Sequence, residues 1–301
     1  MNNSYSFLAI GKTQESTETV EFKKYVGVGS SFVIAVNPTK KELEDIYGHE
    51  IANVQDYVVD TDNGKEARLT FIVKTDPSVC NGIEMISRMM FTLRNAPAYN
   101  QDKTKVQVID KYGNSTWANT EDAKAGKKLF SKDGKELKID SSYRMACVGE
   151  VELIGFLKAY LCVGDAFNYV NGSWVIKPNA EDYVFGLEHI KDYFTGDFSE
   201  IKDAIALQPN NKVKLLYGVR TTDEGKQYQA IATRLNMILP NSAGSRAIER
   251  LANELSRAKN AGSYANIDYR VQELAEYTVE ATDLSSSATT GSETSSDMPW
   301  D

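Results

Sequence analysis

The sequence has few of the residues on which catalysis and metal binding usually depend. It contains only two histidines and three cysteines in 301 residues. Neither His49 nor His189 belongs to an HExxH or HxE pattern, and Cys80, Cys147 and Cys162 form no CxxC pair. A lone histidine in a helical setting is usually a surface or structural residue. We therefore predict no catalytic residues, no metal site, no cofactor and no disulfide framework.

Long apolar runs are also missing. No stretch approaches the roughly 18 to 20 apolar residues that a membrane-spanning helix needs. The segment MNNSYSFLAIGK has neither the basic beginning nor the apolar core of a secretion signal. A composition of 42% hydrophobic and 10% aromatic residues suffices for a sizeable core. We expect a cytoplasmic protein with no membrane partner.

The net charge of −8 speaks against nucleic-acid binding only when it is taken over the whole chain. Residues 85–138 hold eleven Lys and Arg against six Asp and Glu. A phosphate-facing patch requires local positive charge, which this window supplies. A solvated lysine-rich loop is the alternative explanation for residues 124–138.

Hydrophobic periodicity predicts a β-rich α+β fold. Short β-branched runs at residues 30–36 and 67–74 predict strands, and the second run alternates as a half-buried strand does. Thr39 and Glu42 form the pattern of a capping box at the start of a short helix. Residues 213–239 are typical of a hairpin.

From about residue 150 the sequence pattern becomes typical of helices. EVELIGFLKAYL, FSEIKDAIAL and SAGSRAIERLANELSRAKNAG carry apolar residues at helical spacing. We expect Ser242 to cap the third of these helices. The domain organisation predicted is a core over residues 1–284, with a helix-rich subdomain from about residue 150, and a tail over residues 285–301.

Cations alternate with apolar residues between residues 84 and 118. Period-two spacing places Met89 and Phe91 on one face of a strand and Arg88 and Arg94 on the other. A second strand, KTKVQVID, repeats this alternation, and aromatic residues lie in or beside the connections. Cations neutralise phosphates and exposed rings stack on bases, which is the combination that unpaired strands require. Ordinary half-exposed strands also carry Lys and Arg.

The last seventeen residues, SSSATTGSETSSDMPWD, have a different composition from the rest of the chain. A Ser, Thr and Gly-rich stretch cannot bury enough apolar surface to offset its ordering entropy, so we predict a disordered tether over residues 285–296. The tip has an aromatic ring between acids and after a proline, which suits a partner pocket that is apolar inside and rimmed by cations. The predicted partner-binding residues are Asp297, Met298, Pro299, Trp300 and Asp301. A solubilising tail with an incidental tryptophan is the alternative.

Several stretches resemble single-stranded-DNA-binding proteins of tailed phages of gut bacteria. They are KKYVGVGSSFVIAVNPTKKELEDIYG, VKTDPSVCNGIEMISRMMFTLRNAPAYNQDKTKVQVIDKYGNSTWA and KQYQAIATRL, about a third of the chain. The tip is similar to the acidic tip of bacterial single-stranded-DNA-binding proteins, except that one residue, Asp301, follows the aromatic. The resemblance implies an oligonucleotide/oligosaccharide-binding (OB) type barrel, partly open and antiparallel, that coats unpaired DNA without catalysis.

The favoured hypothesis is a sequence-tolerant single-stranded-DNA-binding protein of replication or recombination. It recruits partner proteins through the tip and self-associates on DNA. The residues expected to contact phosphates are Arg88, Arg94, Lys103, Lys105 and Lys111. Those expected to stack on bases are Tyr99, Tyr112 and Trp117. A second tier of expected DNA-binding residues consists of Arg68, Lys74, Tyr228 and Arg234. The alternatives are a phage structural or packaged virion protein whose tail docks on another component, and a nucleotide-processing or nuclease enzyme.

Opposite charges on the tail and the cationic window predict that the tail competes with DNA. Residues 285–301 hold three acids and no Lys or Arg. Deleting them is expected to tighten binding of oligo-dT at low salt, because the competing anion is removed, and to change binding little at high salt, where the competition is screened. Fluorescence anisotropy at two salt concentrations measures this, and equal low-salt affinities of the full and truncated chains would contradict it.

Overall fold

The computed structural model describes residues 23–62, 64–162, 166–179 and 190–278. The predicted tether and docking tip, residues 285–301, and also His189 lie outside these ranges. Within them, no helix has the length and hydropathy needed to cross a membrane.

The described residues form fifteen strands and six helices. The strands are β1 (Tyr25–Val36), β2 (Val58–Thr61), β3 (Gly64–Thr75), β4 (Ile86–Pro97), β5 (Lys105–Ile109), β6 (Ser115–Asn119), β7 (Arg144–Met145), β8 (Cys147–Val148), β9 (Phe167–Val170), β10 (Ser173–Ile176), β11 (Lys212–Thr221), β12 (Gln227–Ile231), β13 (Leu239–Pro240), β14 (Ile267–Tyr269) and β15 (Ala275–Glu276). The helices are α1 (Lys40–Tyr47), α2 (Thr120–Lys124), α3 (Glu150–Tyr160), α4 (Ile190–Tyr193), α5 (Ser199–Ala206) and α6 (Ser245–Asn260). This β-rich α+β composition confirms the predicted class.

The largest sheet is antiparallel and curled into a half-barrel. Its strand order is β12-β11-β1-β3-β4-β8, and four short strands pair along it. The strands alternate as predicted: on β4, Met89, Phe91 and Leu93 are buried, whereas Arg88 and Arg94 lie on the opposite face. The apolar side chains therefore line the concave side of the half-barrel.

Helix α3 fills the concave side of this sheet. The Phe156 ring lies 4.7 Å from the Phe71 ring and 5.5 Å from the Phe91 ring, and it also stacks on Tyr160 at 5.9 Å between centroids. All four side chains are buried. Such a buried aromatic cluster removes a large apolar area from water and fixes how far the sheet curls.

The first helix forms as the sequence predicts. The hydroxyl of Thr39 accepts the Glu42 N–H, the Glu42 carboxylate accepts the Thr39 N–H at 2.6 Å, and Gly48 ends the helix at φ 71°. The chain after this helix then lies against the outer face of β3, where the Gln55 amide donates to the Thr70 hydroxyl at 2.9 Å. Thr70 is buried beneath this segment and Ile72 is buried as well, so the outer face of β3 is more buried than predicted. Arg68 and Lys74, also predicted on that face, are partly exposed.

Two other local predictions are wrong. Helix α6 begins at Ser245 after Gly244, and no side chain caps it, so Ser242 does not have the predicted role. Strand β12 ends at Ile231, so Arg234 lies beyond it, and its guanidinium sits 5.3 Å from the centre of the Tyr264 ring. The turn that places Arg234 there depends on α6 and the loop after it, which the local pattern does not contain.

A small sheet with its own core is inserted between β4 and β8. Its strand order is β6-β5-β7, and its apolar side packs Val106 and Val108 against Ala118, Ala123 and Leu129. Residues 98–146, which build it, hold ten Lys and Arg against seven Asp and Glu. Strands β4 and β5 thus belong to different sheets, although the chain directly after β4 pairs with β5 through a Tyr99–Val106 bridge.

Helix α3 also holds the small sheet in place. Arg144 on β7 forms a bidentate ion pair with Glu150, whose fully buried carboxylate lies in the first turn of α3. The Lys158 ammonium donates to the Gly113 carbonyl in the β5–β6 turn at 3.4 Å. Because both ends of the helix contact the insert, the orientation of the small sheet depends on α3.

Gly149 joins β8 of the large sheet to α3 and is expected to tolerate no side chain. Its φ is +82°, and a Cβ built there would lie 2.0 Å from the Thr92 carbonyl oxygen. Gly149→Ala is expected to lower the free energy of unfolding by about 2–5 kcal/mol through strain and overpacking. Urea denaturation measures this.

Gly82→Ala is the matched control for that substitution. Gly82 has a φ of +74° but open space where its Cβ would be, so it carries the conformational strain without the clash. Its expected cost is about 1–2 kcal/mol. Equal costs at the two positions would show that the approach to Thr92 does not constrain α3.

Candidate nucleic-acid interface

Trp117 and Lys105 share the exposed face of the small sheet. Trp117 lies opposite Gln107, and Lys105 lies opposite Asn119, which makes Lys105 a diagonal neighbour of Trp117. Diagonal neighbours on one face are about 7–8 Å apart between Cα atoms. Trp117 is 46% exposed although the apolar core of the sheet lies directly behind it. The Trp117 face, defined by these four side chains, presents an indole ring and an ammonium group to solvent.

The β5–β6 turn extends this cationic surface. Asp110 is buried, and its carboxylate accepts the N–H groups of Tyr112 and Asn114, each at 2.9 Å, and of Asp140 at 2.8 Å. The first two bonds set the turn that exposes Lys111. The third ties the turn to residues 138–140. One buried carboxylate therefore positions two segments that carry lysines, Lys111 and Lys138.

The β9–β10 hairpin carries a second aromatic pair next to this turn. Tyr169 and Trp174 are directly paired across the strands, with ring centroids 4.9 Å apart. The Lys138 ammonium lies 5.4 Å from the Trp174 ring. Phe167, at the base of the hairpin, packs edge-on against Tyr112 at 5.4 Å. The hairpin is thus attached to the turn that follows the Trp117 face.

The arginines of the main sheet are partly neutralised. Glu66 on β3 accepts from Arg68 Nε at 3.1 Å and from Arg94 Nε at 3.2 Å, and Lys74 pairs with Glu84 at 2.6 Å. In contrast, Lys103, Lys105 and Lys111 are exposed. Among the described residues, no carboxylate forms an ion pair with Lys103 or Lys105, whereas Lys111 lies within electrostatic reach of the Asp140 carboxylate. An unpaired lysine gains more from a phosphate, because it loses no existing ion pair.

Arg88 occupies a partly buried position on the outer face of β4. Burial lowers the pKa of its guanidinium, and the nearby Tyr47 and Tyr57 side chains oppose that shift. Burial also raises the pKa of Tyr57 to about 12. The Arg88 side chain therefore lies close to Tyr47 of α1 and to Tyr57, and a phosphate reaches it less easily than it reaches the exposed lysines.

The predicted stacking residues differ in accessibility. Tyr112 is only 5% exposed, because Phe167 covers it, so its ring is not presented to a base. Tyr99 is partly exposed and packs against the core of the small sheet. Tyr228 on β12 is partly exposed and lies opposite Arg220. Trp117 is the predicted ring that the structure exposes most clearly.

Sequence reasoning missed Tyr169 and Trp174 as surface residues of one hairpin. The signal was the Asn171–Gly172 pair between two aromatic β-formers, since Asn-Gly strongly favours a two-residue hairpin turn. Both residues have positive φ, 50° and 83°, as that turn requires. It also missed Asp110, whose role depends on contacts with residue 140.

The described residues contain no group of three or more His, Cys, Asp or Glu side chains able to hold a metal ion. A groove of about 520 Å³ lies between α3, α6 and the β5–β6 turn, with Lys158, Arg250 and Glu254 among its lining residues.

Comparisons with family models, curated proteins and solved structures found no match for this chain. Its function must therefore be inferred from the surface itself.

Glu66→Gln tests whether the two arginines take part in binding. Gln can still hydrogen-bond but no longer neutralises Arg68 and Arg94, so both guanidinium groups are expected to gain phosphate contacts. The slope of log affinity for oligo-dT against log salt should steepen by about 0.7 per added contact. Glu224→Gln, which removes the exposed partner of Lys226 in the β11–β12 turn, is the control and should leave the slope unchanged. An unchanged slope in folded Glu66→Gln protein would place the arginine pair outside the interface.

Proposed function

We propose that this chain is a sequence-tolerant single-stranded-DNA-binding protein that coats unpaired DNA in replication or recombination. The observation that carries the proposal is the Trp117 face, where an exposed indole and an unpaired lysine lie together on a sheet that has its own apolar core. Stacking on any base and attraction to any phosphate require no sequence readout. The protein as a whole is negatively charged, but residues 98–146 hold a local excess of cations, which supports DNA binding at this part of the surface.

The proposal includes an OB-type architecture for the core. An OB-fold is a partly open antiparallel barrel of five strands. The curl of the half-barrel and its antiparallel pairing support this assignment. The proposal also assigns partner recruitment to the acidic tip, residues 297–301, on the basis of its sequence.

A second candidate function is that of an interaction module, such as a virion component, without a DNA-binding role. The β9–β10 hairpin favours it, because Val170, Val175 and Ile176 are each more than two-fifths exposed. Exposed aliphatic groups clustered on one element are typical of protein contacts. This candidate predicts no binding of oligo-dT.

Trp117→Ala and Lys105→Ala separate the two candidates. Loss of one stacked base costs about 1–3 kcal/mol, so Trp117→Ala is expected to weaken oligo-dT binding about 5- to 150-fold. Trp117→Phe retains a ring and should restore most of the affinity. Lys105→Ala should lower the magnitude of the salt slope by about 0.7. Fluorescence anisotropy with labelled oligo-dT over about 50–200 mM salt gives both quantities.

Lys226→Ala provides the matched control. Lys226 is exposed like Lys105 but pairs with Glu224 at 2.9 Å in the β11–β12 turn, away from the small sheet. Its removal should leave the slope unchanged. Wild-type protein that fails to bind oligo-dT at low salt, or equal effects of Lys105→Ala and Lys226→Ala, would contradict the proposed site.

A further inference from the structure

We infer that the β9–β10 hairpin is a second base-stacking platform, which a DNA strand reaches from the Trp117 face across the β5–β6 turn. This inference rests on the proposed function and assigns a site to residues outside the small sheet. The ligand class is unpaired nucleic acid, recognised through its bases and phosphates.

The strand register puts the aromatic residues of the hairpin on a single face. Phe167 pairs with Ile176 and Tyr169 pairs with Trp174, and residues two apart on a strand point the same way. Phe167 is buried at the base, whereas Tyr169 is 57% exposed. The face therefore has an anchored end and a ring that is open to solvent. A large exposed ring at the end of a hairpin contributes little to folding, so a binding role accounts for its position better than a packing role.

One lysine lies over this face and a second lies beside the residue on which the hairpin is anchored. Lys138 sits over the Trp174 ring, and Lys111 lies 5.1 Å from the centre of the Tyr112 ring, which itself packs on Phe167. An ammonium beside an exposed ring can contact the phosphate of the nucleotide whose base stacks there. Asp110 fixes both lysine-bearing segments, so these charges are positioned before DNA binds. Preorganised groups lose less entropy on binding.

The opposite face of the hairpin has different chemistry. Asn168, Val170, Ser173 and Val175 lie there, without an aromatic ring or a lysine. Two of the three exposed aliphatic residues, Val170 and Val175, thus lie on the face without aromatic rings, and the third, Ile176, shares the aromatic face. Stacking on bases depends on Tyr169 and Trp174, whereas an aliphatic contact with a protein depends on Val170 and Val175. The same hairpin thus contains its own control.

Tyr169→Ala tests the platform in the full-length protein. It should weaken binding of an oligo-dT of about 20 nucleotides about 5- to 100-fold. Tyr169→Phe retains the ring and should bind within about twofold of wild type, as should Val175→Ala on the opposite face. Thermal unfolding of each variant establishes that it is folded at the assay temperature. Equal losses in Tyr169→Ala and Val175→Ala would mean that the hairpin acts through its fold or through a protein contact, and would overturn the inference.

Fluorescence of Trp174 supplies a second measurement. In a Trp117→Phe/Trp300→Phe protein, Trp174 is the single tryptophan. When the protein is saturated with oligo-dT, as verified by mobility shift, the emission of Trp174 should be quenched, because a stacked base quenches an indole. Unquenched emission at saturation would overturn the platform.

The two proposals fail in distinguishable ways. Wild-type protein that binds oligo-dT, with Tyr169→Ala binding equally well, would overturn the hairpin platform and leave the proposed function intact. Wild-type protein that does not bind oligo-dT would overturn both.

Discussion

The packing of Phe156 against Phe71 and Phe91 is the contact on which the rest of the structure depends. It holds α3 inside the curled sheet, and α3 in turn carries the contacts to the inserted small sheet at both ends, through Glu150 and Lys158. A displaced helix would leave the fully buried Glu150 carboxylate without Arg144, which is costly because a buried charge needs a partner. The core thus determines where the lysine-rich insert lies.

The candidate interface is built on that insert and on the adjacent hairpin. A sheet with its own small apolar core presents Trp117 and Lys105, and a buried aspartate, Asp110, links the turn bearing Lys111 to the segment bearing Lys138. Rings and ammonium groups held on such elements lose less entropy when a ligand binds. The arginines of the main sheet differ, because Arg68 and Arg94 already form ion pairs with Glu66.

The local features of the fold could be predicted because they depend on neighbouring residues. The capping box of Thr39 and Glu42, the alternation along β4 and β5, and the helical spacing of α3 are all present in the structure. Burial of Thr70 on the outer face of β3 was not predictable from alternation, because a segment more than ten residues away, around Gln55, covers it. The Asn-Gly signal for the β9–β10 hairpin was present in the sequence and was overlooked.

The sequence by itself determined the β-rich α+β class, the scarcity of catalytic residue types, the local excess of positive charge and the placement of Lys105 opposite the core of its strand. These follow from composition and from periodicities that any strand or helix imposes. Tertiary structure alone decided which rings reach solvent. Phe167, fifty-five positions along the chain, covers Tyr112, whereas none of the residues that the structure describes covers Trp117 to the same extent. Exposure is a property of contacts between distant segments, and the pattern within one segment does not encode it.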